Sequence, residues 1–235
     1  GAPLSLVGVT MQPIQNSKGA DLPNDYSRDA EALSIIERDG VASVVRVGFE
    51  NLTRVADFAL VDGVPSGAAR EVSIPDWLSR TRSNESLEAV CVAPPASPIA
   101  GSTLLLTEGV TADDGQHAAY LLGHADRGAL SYVSGSGTNP TVCAFLPNGD
   151  LLVLERGVAL LSFAMRLVKI AAADVVAGAQ MKGEGLLDTV GGDLDNMEGV
   201  AVDQRADGAV RIVLVSDNNF NDWERNLLFA FSLPR

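Results

Sequence analysis

The chain has 235 residues, 46% of them hydrophobic and 20% charged, with a formal net charge of −13 and a pI near 4.4. This composition supplies enough apolar surface for one sizeable core and excludes intrinsic disorder, so one domain over 1–235 is expected. No Lys/Arg cluster offers the basic face that a phosphate backbone needs and no apolar run is long enough to span a membrane, which leaves cations and small molecules as the natural partners.

In chain order, residues 1–28 hold a strand-like run at 4–10 and a polar, turn-rich stretch at 16–26. The run at 4–10 reads either as the last strand of an earlier sheet or as a strand that closes a ring by joining the last repeat. A first unit follows: residues 29–33 lead through Asp39-Gly40 to an apolar run ending at Glu50, with a third strand at 53–60 and a short helix or loop at 74–78. The second runs from 87–92 through a Pro/Ala-rich connection to Glu108, then to a third strand at 117–122. The third turns at Asn148-Gly149 into a strand ending at Glu155, followed by a strand at 163–170, a helical turn or two at 171–179 and a loop at 183–193. The fourth passes through Asp207-Gly208 to Asp217 and ends on a strand at 227–231. Asx-Gly between alternating apolar runs is how a hairpin is written in sequence.

The openings fall at Glu31, Glu88, Thr141 and Glu198, at intervals of 57, 53 and 57 residues; the closings at Glu50, Glu108, Glu155 and Asp217 are spaced by 58, 47 and 62. A β-rich unit repeating at this period predicts an all-β fold, a β-propeller with four recognisable blades near 29–83, 84–139, 140–194 and 195–235, completed by the 4–10 strand in the second reading of that strand.

In an antiparallel hairpin the first residue of one strand and the last of the next lie at the same end. Glu31 with Glu50, Glu88 with Glu108, and Glu198 with Asp217 are therefore expected on one rim, joined by Glu155 opposite Thr141. Carboxylates brought together around one axis repel unless protons or cations offset them, and oxygen donors suit a hard divalent cation, Ca²⁺ or Mg²⁺. The candidate metal ligands are Glu31, Glu50, Glu88, Glu108, Glu198 and Asn218; the candidate catalytic carboxylates are Glu198, Asp217 and Glu155. The competing reading gives each Glu a structural task, accepting backbone N–H groups from the adjacent blade. Asn218-Asn219 likewise reads as a turn or as a ligand. Arg54, Arg156, Arg166 and Arg225 read as blade-to-blade salt bridges or as phosphate-capturing groups.

Other chemistries find less support. His117 and His124 show no zinc-site spacing and read as surface or packing residues. Ser134-Gly135-Ser136-Gly137 lacks the context of a nucleophile elbow, so a serine hydrolase is not expected. Cys91 and Cys143 read first as buried thiols acting as small hydrophobes; a disulfide between them, which needs their strands to present facing Cβ atoms, stays open. No basic stretch followed by an apolar one marks an export signal in this chain.

The segments Asp29-Ala30-Glu31-Ala32-Leu33, Ser86-Leu87-Glu88-Ala89-Val90, Asn148-Gly149-Asp150-Leu151-Leu152-Val153-Leu154-Glu155-Arg156, Phe163-Ala164-Met165-Arg166, Asn196-Met197-Glu198-Gly199-Val200 and Leu214-Val215-Ser216-Asp217-Asn218-Asn219-Phe220 together resemble the phytase-like family called "esterase-like activity of phytase". The resemblance runs from about Asp29 to the C terminus. It departs from the family at the N terminus, where a further blade and a signal peptide are usual. It implies phosphoester hydrolysis, a periplasmic or secreted location, and acidic roles for Glu31, Glu50, Glu88, Glu108, Glu155, Glu198 and Asp217. Two functions follow as expectations: a divalent-metal-dependent phosphoesterase, or a non-catalytic ligand-binding or scaffold propeller with a structural acidic ring.

Overall fold

The computed structural model describes residues 11–123, 126–159, 162–191 and 195–233. Its four sheets are arranged as a four-blade β-propeller. Blade 1 contains β1 (Ala30–Arg38), β2 (Val41–Phe49), β3 (Arg54–Val61) and β4 (Val64–Val72), in that order. Blade 2 contains β5 (Leu87–Val92), β6 (Thr103–Thr111), β7 (His117–Leu122) and β8 (Gly128–Tyr132). Blade 3 is built from β9 (Asn139–Phe145), β10 (Leu151–Ala159) and β11 (Ser162–Ile170). Its connection contributes β12 (Gln180–Met181), which pairs in parallel with β8 of blade 2, before β13 (Glu184–Gly191) completes blade 3. Blade 4 has β14 (Met197–Gln204), β15 (Val210–Ser216) and β16 (Leu228–Leu233). The expected loop at 183–193 is thus strand over Glu184–Gly191.

Turn chemistry sets the hairpins. Asp39 and Gly40 both adopt positive φ, 52° and 73°, the backbone of a two-residue turn whose twist matches the flanking strands. The short helices are α1 (Asp25–Arg28), closed by a reciprocal capping box between Asn24 and Ser27, and α2 (Asp76–Ser79). The helical stretch expected at 171–179 reduces to a 3-10 turn at Ala172–Asp174. No helix among the described residues is long and apolar enough to cross a membrane. The strand-like run at 4–10 lies outside the described residues.

Alternation along each strand puts apolar side chains on both blade faces, and the core lies between blades. Leu104, Leu106, Leu121, Tyr132, Leu151, Val153 and Ile170 fill the space between blades 2 and 3. Leu152, Leu154, Leu167, Ile212 and Leu214 do so between blades 3 and 4. Leu87, Val90 and Leu105 meet Ala32 and Val55 between blades 1 and 2. There a Cβ on Gly48 would lie 2.7 Å from Val90 Cγ2, so only glycine permits the approach. Leu22, with Ile14 against it, covers the other face of blade 1 at Val45, Phe49 and Phe58.

Inner strand β1 packs on β5, β5 on β9, and β9 on β14. Because β5 and β9 are neighbours, Cys91 and Cys143 face each other with Cα atoms 6.0 Å apart and form a disulfide. The reading of two buried thiols is corrected: both are buried, and they are bonded across the blade boundary.

Candidate functional site

Each inner strand opens on a β-bulge at the same place. Ala30 pairs with Phe49 and Ala32 with Gly48, leaving Glu31 as the extra residue. Leu87/Thr107 and Ala89/Leu106 leave Glu88, and Met197/Ser216 and Gly199/Val215 leave Glu198. Pro140/Glu155 and Val142/Leu154 leave Thr141. A bulged residue is freed from the ladder and re-aimed, which is why such residues cluster at sheet rims and sites. Glu31, Glu88, Thr141 and Glu198 are therefore equivalent positions on four inner strands, as their spacing predicted.

The same registers locate the closing residues. Glu50, Glu108 and Asp217 each follow the partner of the residue before the bulge, at Phe49, Thr107 and Ser216. In blade 3 that partner is Glu155, so the equivalent ring position is Arg156. Glu155 sits one residue early, and one residue in a strand reverses the face. It is fully buried, away from the rim, where it accepts hydrogen bonds from Tyr132 Oη, the Gly135 amide, Thr138 Oγ1 and Arg166 Nη1, the last at 2.9 Å. Its placement among the mouth carboxylates is corrected, and a cation takes that place.

The remaining carboxylates act on one another across blades. Burial first, then the charges of Asp29 and Glu50, a hydrogen bond with Asp29 and the charge of Glu198 push Glu31 up to about 7, although its side chain reaches solvent. Burial also raises Glu50, against the hydrogen bonds it receives from Glu88 and from the Ser86 amide at 2.8 Å. Glu198 is raised by burial despite its 2.9 Å ion pair with Arg156, with Asp217 and Glu108 adding to the rise. Glu108 accepts from Asn139 Nδ2 at 3.0 Å. Asp29, Glu31 and Glu50 present three carboxylate oxygens within 4.8 Å of one another. Asp217 is exposed and accepts from the Asn219 amide, and Asn218 Oδ1 accepts from the Phe220 amide, so the Asn218-Asn219 pair forms the turn.

Three contributors were missed from sequence: Asp29, Arg156 as a ring residue, and Asn196. Asp29 and Asn196 each precede a bulged Glu by two residues, so the repeat itself carried that signal. Asn196 is 1% exposed; its Oδ1 accepts from Arg156, and its Nδ2 has no hydrogen-bond partner of normal geometry while lying close enough to Glu198 to lower that carboxyl's pKa. Of the other arginines, Arg166 and Arg225 bridge to Glu155 and Asp195 within their own blades, and Arg54 lies 3.8 Å over the Phe49 ring. His124 lies outside the described residues.

Glu88 gives the clearest electrostatic test. It is buried, and burial, a hydrogen bond with Glu50 and the charges of Glu50, Glu108 and Glu31 push it up to about 11 from an ordinary 4.5. A carboxyl whose folded pKa is raised favours folding fully below the unfolded value, and that contribution is lost as pH rises from about 4.5 toward the folded value. In cation-free buffer Glu88→Gln, which keeps a donor for Glu50, is expected to stabilise by up to about 3 kcal/mol at pH 7 and by almost nothing at pH 4.5. Thermal melts across that range check it; a gain independent of pH would contradict it.

No curated protein and no solved structure matches the chain. The family model described as "Phytase-like: Esterase-like activity of phytase" matches residues 2–220, reaching back beyond the motifs that begin at Asp29. By this match over most of its length, the chain belongs to the phytase-like family.

Proposed function

We propose that the acidic mouth makes this protein a divalent-metal-dependent hydrolase of small phosphoesters. The observation that carries the reading is the convergence of Asp29, Glu31 and Glu50, whose carboxylate oxygens lie within 4.8 Å of one another beside Glu88, Glu108 and Glu198. A donor set made only of carboxylate oxygens fits Ca²⁺ or Mg²⁺; burial first, and then the charges of neighbouring carboxylates, raise these groups, and a bound cation would offset both. Asp29, Glu31 and Glu50 would hold the ion, with Glu88 and Glu108 behind them; when bound, it supplies charge stabilisation to a phosphoryl oxygen. Glu198, raised by burial and oriented by Arg156, accepts the proton of the attacking water as the general base. The exposed Asp217 flanks it, adding to the rise of the Glu198 carboxyl. The Cys91–Cys143 disulfide supports a periplasmic or secreted location.

A scaffold reading has one observation in its favour: Glu50 accepts the Ser86 amide of the next blade, and Glu108 and Glu198 are also engaged by protein donors. Thermal melts of wild type and Glu31→Gln, each with EDTA and with Ca²⁺ or Mg²⁺, separate the two. A cation at a hundredfold excess over Kd is expected to stabilise the wild type by about 2.7 kcal/mol and the variant much less. Hydrolysis of 4-nitrophenyl phosphate is expected to require the cation and to be lost in Glu198→Gln. Coincident melting curves in all four conditions would leave the scaffold reading standing.

A further inference from the structure

We propose that Ser134 and His117 form a second, metal-independent catalytic pair that hydrolyses carboxylic esters of neutral or cationic acids. The two residues are 17 apart in sequence, and strand pairing joins them. His117 opens β7 directly opposite Tyr132, the last residue of β8, and Ser134 lies two residues beyond Tyr132. Hairpin β6–β7 and the loop from β8 to β9 both emerge at the end of blade 2 where Glu88 and Glu108 stand, so the pair lies on the same side of the propeller as the mouth.

The hydrogen bonds fix the ring. His117 Nδ1 lies 2.6 Å from the Glu108 carbonyl oxygen, and Nε2 lies 2.9 Å from Ser134 Oγ. A carbonyl oxygen can only accept, so Nδ1 carries the proton and, in the neutral ring, Nε2 presents its lone pair to the Ser134 hydroxyl. That is the nucleophile–base–orienter arrangement of serine hydrolases, with a backbone carbonyl in the orienting place. Such a carbonyl aligns the imidazole and offers less charge to the imidazolium than a carboxylate does, which limits the pair to esters with good leaving groups. Ser134 and His117 are both half-buried and reachable from solvent. In the same loop Ser136 and Gly137 are exposed, and their amides donate to no acceptor among the described residues, so the loop that carries Ser134 also carries N–H groups of the kind an oxyanion needs. The acidic mouth at the same end of the blade and the net charge of −13 disfavour anionic acyl groups.

In the reaction Ser134 Oγ attacks the ester carbonyl carbon while its proton passes to His117 Nε2. The carbon–oxygen bond to the alcohol breaks and that proton leaves with the alcohol, giving an acyl-serine. Water then attacks the acyl carbon, Nε2 takes its proton, and collapse returns the proton to Ser134 Oγ as the carboxylic acid departs.

The test uses the full chain with 4-nitrophenyl acetate as substrate and a fluorophosphonate as covalent probe, both in EDTA. Hydrolysis is expected to persist in EDTA, the probe to map to Ser134 by mass spectrometry, and Ser134→Ala to abolish labelling and lower the rate on the order of 100-fold. His117→Gln is expected to do the same. Labelling at another residue, an unchanged rate in Ser134→Ala, or loss of hydrolysis on chelation would each overturn the proposal. Should His117→Gln fail to fold, Ser134→Ala, which removes a single hydroxyl, and the position of the label decide alone. The phosphoesterase reading of the acidic mouth stands or falls separately, because its activity requires the cation.

Discussion

Arg166→Met is expected to destabilise the protein by roughly 3–5 kcal/mol, the usual consequence of leaving a buried charge without its partner. Glu155 is fully buried, and Arg166 is its one cationic neighbour at hydrogen-bond distance among the described residues. The lower end of that range is the better expectation, because Tyr132, Gly135 and Thr138 still donate to Glu155 and the guanidinium itself reaches solvent. For a chain of this size each kcal/mol moves the melting temperature by about 2–4 °C, so the shift is easily read. Glu155→Gln in the same background should return much of the loss, since the charge left without a partner is then gone. If the double variant is no more stable than Arg166→Met, the cost lies in lost packing of the arginine stem. The network also ties down the loop from Ser134 to Thr138, so Arg166→Met is expected to loosen that loop in hydrogen exchange.

Loss of the Cys91–Cys143 disulfide, by reduction or by changing both residues to alanine, is expected to cost about 4 kcal/mol. The bond closes a loop across a sequence separation of 52 residues, and a loop of that length restricts the unfolded chain strongly. It fastens β5 to β9, the strands that open on Glu88 and Thr141, so its removal should also loosen that part of the mouth. Melts with and without reductant measure the effect; coincident curves would show that the interface between blades 2 and 3 holds unaided.

The repeat was legible because its parts are local. Asp39-Gly40, Asn148-Gly149 and Asp207-Gly208 turn the chain where their residue types require, and apolar runs flank them at a steady period. The bulged glutamates share one place in that period, so their common rim could be read without coordinates. The outer strands were harder. β4 carries Pro65, Ser66 and Gly67 and is exposed along most of its length, and β13 is largely exposed, so neither has the buried alternating face that marks a strand in sequence.

The sequence by itself determined the all-β class, the number of repeats, the hairpin turns and the acidic character of the mouth, because each follows from composition or from contacts a few residues apart. Tertiary structure alone decided the finer chemistry. Glu155 pairs with Pro140, the residue before the bulge, so it turns inward and leaves the rim position to Arg156, and no local signal distinguishes the two registers. The neighbourhood of β5 and β9 makes a disulfide of two apolar-context cysteines. The pairing of β7 with β8 carries Ser134 to His117, and the Glu108 carbonyl orients the ring. In each case the deciding quantity is register or blade adjacency, which many weak contacts along whole strands fix together and no short stretch of sequence contains.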